Sequence, residues 1–283
     1  MAVEPLQLEG SDRWPRRPRT FTHDLAGHPL LSLDRVSDWV GAISPKRIQQ
    51  HQGDLPVLHP SGTVRTIKEP TSTVIGELNE RNAWVLIQGL SAVREVDELA
   101  QSVERAWLEA SASLEGGFVR RAAQLLVASP KAAVPAHFDR QHILLHQVTG
   151  TKEVFIGGST SGSGLDPEIE SEVAVSMAHR SHNLYEMPQT ATRYLLQPGT
   201  GLYIPPRNPH WVLGGTDTSV TLSCGWDTRW SDSEYLTYYW NERLRRVKVP
   251  AGPVVPGKWS NRCKAIAVDR FGRIVRFSKR ESN

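Results

Sequence analysis

Sulfur is scarce in this chain: cysteine occurs twice in 283 residues, at Cys224 and Cys263, and methionine three times. Two thiols are too few for a disulfide framework or for a cysteine-ligated zinc or iron–sulfur centre. Long apolar runs are missing as well, since no stretch approaches the roughly 20 residues that cross a bilayer as a helix. The first residues, with Glu4, Glu9 and Asp12, contain no apolar core of a secretory signal. A soluble, cytoplasmic protein is expected. Nor does one sign of charge prevail, with 33 Lys and Arg against 30 Asp and Glu. The basic, proline-rich run from Arg13 to Arg19 reads as a solvated arm. Neither nucleic acid nor a membrane is expected as a partner. Histidine, by contrast, occurs ten times. Any metal held here should have nitrogen and oxygen ligands.

Length alone allows about two domains at roughly 150 residues each, or one β domain with additions. Residues 1–30 are polar and irregular, and 31–60 carry short apolar pieces broken at Pro45. A strand-length apolar run follows at Ala83–Ile87. Over 94–114, Val96, Leu99, Val103, Trp107, Ala110 and Leu114 recur every three or four residues, which predicts a helix ending at Gly116-Gly117. From 118 to about 227 short apolar or alternating runs succeed one another: 123–128, 142–148, 153–157, 173–177, 193–197, 202–204, 211–213 and 219–226. That rhythm predicts a mainly β fold, an antiparallel barrel or sandwich. Residues 231–247 again read as helix, with Tyr235, Leu236, Tyr239, Leu244 and Val247 on one side, a face suited to a homodimer contact. The organisation expected is an N-terminal extension (1–117) packed on a barrel (118–230), then a helical and basic tail (231–283).

The chemistry concentrates in Pro135-Ala136-His137-Phe138-Asp139. Side chains two apart on a strand emerge on the same face, about 6.5–7 Å apart, so His137 and Asp139 can converge on one ion. The best third ligand is His210, 71 residues after Asp139, at the end of Leu202-Tyr203-Ile204-Pro205-Pro206-Arg207-Asn208-Pro209. Two histidines and a carboxylate on one face of a metal make the facial triad of non-haem Fe(II) oxygenases, which leaves positions open for a bidentate 2-oxo acid and O2. Beyond Asp139, His142–Val148 reads as a strand that turns at Thr149-Gly150-Thr151 into Lys152–Ile156. Such a hairpin would carry Lys152 back beside the H-x-D strand, where its ammonium could meet the far carboxylate of a dicarboxylate co-substrate.

The combination of H-F-D, L-L-x-Q-x-x-G-x-K and L-Y-I-P-P-x-x-P-H-W resembles the JmjC (jumonji-C) family of cupin-like oxygenases, closest to the bacterial cupin-like group and the asparaginyl-hydroxylase branch. The resemblance is strongest over about 118–230. It implies a double-stranded β-helix (cupin, jelly-roll) fold with flanking helices. It also implies His137, Asp139 and His210 as Fe(II) ligands, Lys152 paired with the C5 carboxylate of 2-oxoglutarate, and Trp226 as an aromatic near the metal. The expected activity is hydroxylation of an amino-acid residue, in a peptide, a protein or a free amino acid, with release of succinate and CO2. Three positions depart from the family pattern. Val134 stands where a threonine is common, Ile143 where some members have asparagine, and Thr200-Gly201 where an aspartate commonly follows Pro-Gly.

Other histidines are read differently. His142 and His146, four apart on a strand, should point away from the face of His137 and Asp139. His179 and His182 fall in a polar insertion between strands. The run from Gly157 to Gly164 is a flexible loop, because no Gly-Lys-Ser/Thr closes it as a phosphate loop would require. Two other functions remain open to the same residues: a cupin hydrolase or isomerase using Zn or Mn, and a non-enzymatic binding module.

Overall fold

The computed structural model describes residues 17–54, 56, 65–111, 118–137, 139–157, 191–250, 263 and 266. Eleven strands among these form two antiparallel sheets. The larger sheet runs β1 (Arg19–Thr22), β9 (Thr200–Ile204), β6 (His142–Thr149), β11 (Ser219–Thr228), β4 (Phe118–Ala128), β3 (Ala83–Gln88) and β2 (Ile48–Gln52) in spatial order. The smaller runs β5 (Ala133–His137), β10 (His210–Gly214), β7 (Lys152–Gly157) and β8 (Ala191–Leu196). Helices α1 (Leu33–Trp39), α2 (Thr71–Gly76), α3 (Arg94–Ser111) and α4 (Arg229–Arg246) complete the elements used below. The expected cupin, jelly-roll architecture is what forms.

Strand alternation divides the apolar residues of the large sheet between two cores. One face of β11 carries Val220, Leu222, Cys224 and Trp226 into a cluster with Val85, Ile87, Leu125, Val127 and Leu144, which α1 and α3 cover through Val36, Trp39, Val96, Val103 and Trp107. The four- and three-residue spacing of Val96, Ala100, Val103 and Trp107 places them all on the buried stripe of α3. The other face looks into the barrel, where Ile143, Leu145, Leu202 and Ile204 meet Val154, Ile156, Leu196 and Val212 of the small sheet.

Several elements differ from the sequence reading. β1 forms within the stretch read as irregular, because it takes the open edge of β9, with Arg19 opposite Tyr203. β2, Ile-Gln-Gln-His-Gln, has no apolar alternation to announce it and exists by pairing with β3. The first 117 residues thus extend the barrel's own sheet by three strands. The last helix starts two residues earlier than expected, because Thr228 and Ser231 form a reciprocal cap: the Ser231 amide donates to Thr228 Oγ1 at 3.1 Å and the Thr228 amide to Ser231 Oγ at 2.9 Å. On that helix the Tyr235 ring lies under Arg140 and Tyr239 meets Arg243 of its own helix. The run 173–177, His179, His182 and Gly158–Gly164 lie outside the described residues. Among the described residues no helix is long and apolar enough to cross a membrane.

Candidate metal centre

The H-x-D segment ends an edge strand. Along β10, His210 and Val212 are two residues apart, whereas their partners on β5, His137 and Val134, are three apart. This is a β-bulge, with one extra residue on β5. Pro135 sits within it, and its missing N–H costs little on an edge strand. The bulge shifts the alternation by one residue, so Val134 and His137 both line the barrel cavity, and Asp139 lines it two residues later. His210 pairs directly with His137 across the β5–β10 ladder. The spacing in sequence and the pairing in space therefore bring all three residues together, with one donor atom of each within 4.8 Å of the others.

The ring hydrogen bonds suit metal binding. His137 Nδ1 lies 2.8 Å from the Pro135 carbonyl oxygen and His210 Nδ1 lies 2.9 Å from that of Asn208. A carbonyl only accepts, so each Nδ1 is the donor and each Nε2 is the nitrogen left to face a metal. The two rings are 4.3 Å apart between centroids, and His210 Nε2 is 3.7 Å from Asp139 Oδ2. His210 is buried. Desolvation, reinforced by His137 and opposed by Asp139, pushes it down to about 4, so it stays neutral and able to ligate at physiological pH. The donor set is two imidazole nitrogens and one carboxylate, with no thiolate, and it fits Fe(II).

Lys152 reaches the same cavity by a route other than the expected hairpin. β6 belongs to the large sheet and β7 to the small one, so Thr149-Gly150-Thr151 crosses between sheets and does not fold β7 back on β6. The crossing requires glycine: Gly150 has φ +66°, and a Cβ there would sit 2.3 Å from the Thr218 carbonyl oxygen. Lys152 then pairs with Gly214 of β10, four residues along from the His210–Ile156 pair, or about 13 Å at roughly 3.3 Å per residue. It is 4% exposed and has no hydrogen-bond or ion-pair partner among the described residues. Burial pushes its ammonium down to about 8.

Between these two ends lies a cavity lined by the triad, Lys152, apolar side chains including Val134, Ile143 and Leu145, and the polar residues Ser219, Thr221 and Ser223 of β11. Thr221 Oγ1 donates to Gln147 Oε1 at 2.8 Å, while the Ser219 hydroxyl is buried with no partner among the described residues. The sequence reading missed the role of these residues, although Ser-Val-Thr-Leu-Ser-Cys alternates polar and apolar, as a strand between a polar cavity and an apolar core should.

Trp226, expected near the metal, is a correction. It shares the face of Val220, Leu222 and Cys224 and lies outside the barrel, stacked on His142 at 5.6 Å and 10°. An odd–even count from Ser219 would have placed it there. His142 and His146 do point away from the triad, as expected. His142 Nδ1 contacts the Tyr203 hydroxyl at 2.8 Å, and His146 Nε2 accepts from Trp107 Nε1 at 3.1 Å.

A two-sheet barrel with a His-Asp-His cluster at one end of its cavity defines a cupin-class protein. Residues 101–234 match the JmjC domain family. Solved structures of the ribosomal oxygenase YcfD from Escherichia coli share the fold. One aligns at a TM-score of 0.50 with 17% identity, covering 95% of this chain and 67% of its own. A second aligns at 0.50 with 16% identity, covering 90% and 64%. A third, in complex with cobalt and 2-oxoglutarate, aligns at 0.49 with 18% identity, and this chain spans 59% of its length. No protein of curated function matches the chain in sequence.

Proposed function

We propose that this chain is an Fe(II)- and 2-oxoglutarate-dependent oxygenase that hydroxylates a C–H bond of an amino-acid residue. The observation that carries the reading is the shared cavity: an N,N,O donor set at one end and, at the other, a buried lysine with no partner among the described residues. A cation without a counter-charge inside a barrel is costly, and a ligand carboxylate is the group that relieves it. Bound at the triad, Fe(II) and 2-oxoglutarate supply oxidation by O2, with release of succinate and CO2 and delivery of one oxygen atom to substrate. His137, Asp139 and His210 hold the metal, and the two Nδ1–carbonyl bonds keep the rings oriented toward it. Lys152 takes the far carboxylate, aided by the Ser219 hydroxyl, which stands in the cavity where Val134 offers none. Ile143, Leu145 and Val212 keep water from the space between. Peptides, proteins and free amino acids are the substrate classes.

The test is succinate release from 2-oxoglutarate with Fe(II), combined with a search for a +16 mass shift across peptides and amino acids. Turnover should require Fe(II) and vanish in His137→Ala, Asp139→Ala and His210→Ala. A wild-type chain that binds no Fe(II) and releases no succinate overturns the reading. Activity restored after chelation by Zn, without consumption of 2-oxoglutarate, would assign hydrolytic chemistry instead.

A further inference from the structure

His137 and His210 are placed by the β5–β10 ladder. Asp139 is not, because it follows the end of β5 and pairs with no strand. Its main chain is tied elsewhere: the Arg207 amide donates to the Asp139 carbonyl at 2.7 Å. Arg207 is in the left-handed region, with φ +63°, a conformation that a non-glycine residue keeps only when its surroundings hold it. What holds it is α4, where the Arg207 guanidinium stacks on the Tyr238 ring at 4.9 Å and donates to the Tyr238 hydroxyl. Arg140, the residue after Asp139, is anchored to the end of β11 and to the same helix. Arg140 Nη2 lies 2.7 Å from Asp227 Oδ2 and 3.4 Å from Asp232 Oδ1, and the guanidinium lies over the Tyr235 ring at 4.3 Å. Asp232, Tyr235 and Tyr238 follow at intervals of three, which puts them along one side of α4.

We propose that α4, a helix outside the barrel, sets the position of Asp139 through two arginine–tyrosine clamps, Arg207 on Tyr238 and Arg140 on Tyr235 with Asp232. The inference rests on the metal-centre reading and adds Arg207, Arg140, Tyr235 and Tyr238 as positioning residues. They touch no metal and act through Asp139. A carboxylate whose backbone is loosely held loses affinity for the ion, and losing such an outer contact typically weakens metal binding about 10–100-fold.

The test is titration of metal-free protein with Mn(II), following free ion by electron paramagnetic resonance, so that no turnover is needed. Arg207→Ala and Tyr238→Ala should each weaken Mn(II) binding about tenfold or more. Tyr238→Phe, which keeps the ring and loses the hydroxyl, should fall between Tyr238→Ala and wild type. The decisive arm repeats Arg207→Ala in an Asp139→Ala background, where it should change Mn(II) affinity no further, because the residue through which it acts is gone. Circular dichroism shows which variants are folded, and Arg207→Ala carries the test should Tyr238→Ala fail to fold. Folded variants with wild-type affinity overturn the inference. So does an equal loss with and without the Asp139 carboxylate, which would mark a general structural role. A wild-type chain that binds no Mn(II) overturns the metal-centre reading itself.

Discussion

Raising the pH from 7 to 9 should weaken the binding of 2-oxoglutarate to the metal-loaded chain about tenfold, and Lys152 is the reason. Burial pushes this ammonium down to about 8. The free protein therefore carries it roughly nine-tenths charged at pH 7 and about one-tenth charged at pH 9. A ligand carboxylate pairs only with the charged form and restores its high pKa, so binding takes up a proton once the pH exceeds 8. The ratio of the two charged fractions is the loss of affinity, about a factor of ten. The assay is calorimetric titration of 2-oxoglutarate onto the Mn(II)-loaded protein without oxygen, at pH 7, 8 and 9, in buffers of different ionisation enthalpy so that proton uptake is read directly. Pyruvate shares the 2-oxo acid end but lacks the far carboxylate, and its affinity should not follow this curve. Lys152→Met should bind 2-oxoglutarate about ten- to a hundredfold more weakly at pH 7, as expected for loss of a hydrogen bond to a charged group, and should lose the pH dependence. The same slope for pyruvate, or for Lys152→Met, would refute the assignment of Lys152 to the far carboxylate.

Two further outcomes test other parts of the structure. His142 and His146 are buried and neutral, each pushed down to about 3 by desolvation. Protonating His146 would also set a ring N–H against the Trp107 N–H that it now accepts. The unfolded chain takes up these protons near pH 6.5 and the folded chain does not, so stability is complete above that value and falls as the pH drops toward 3. At pH 5 the loss is about 2 kcal/mol for each histidine, and urea unfolding at pH 7.5 and 5 should show His146→Gln removing about half of the pair's share. A wild-type acid response unchanged in that variant would count against it. Trp226→Phe should cost about 1–3 kcal/mol of stability through lost packing, while Mn(II) and 2-oxoglutarate affinities stay within about twofold of wild type. A tenfold loss of metal affinity would return Trp226 to the site.

Much of the centre was legible because its signals are local. His137-Phe138-Asp139, two positions apart at the end of a strand, announces a pair of candidate ligands without knowledge of the fold. Strand alternation should have excluded Trp226, whose place on β11 is even-numbered with Val220 and Leu222 while the cavity takes Ser219, Thr221 and Ser223. Here the family resemblance pointed one way and strand parity the other, and parity held. The bulge at Pro135 could not be read, since it appears only when β5 is laid against β10. β1 and β2 were missed for a related reason, because their stability comes from the edges they occupy and not from their own composition.

By itself the sequence determined the chemical inventory: candidate nitrogen and oxygen ligands in place of thiolates, strands of barrel length, an amphipathic α3 and a lysine thirteen residues beyond Asp139. Those properties depend on residue type and short-range periodicity, which are written along the chain. Tertiary structure alone decided that Lys152 arrives by crossing between sheets, and that Gly150 is needed for the crossing. It alone decided that the Ser219 hydroxyl is left buried in the cavity, and that Asp139 is tied through Arg207 and Arg140 to a helix about ninety residues further on. Each of these depends on which strands and helices become neighbours. That is settled by the burial of two apolar cores over the whole chain, and no short window of sequence contains it.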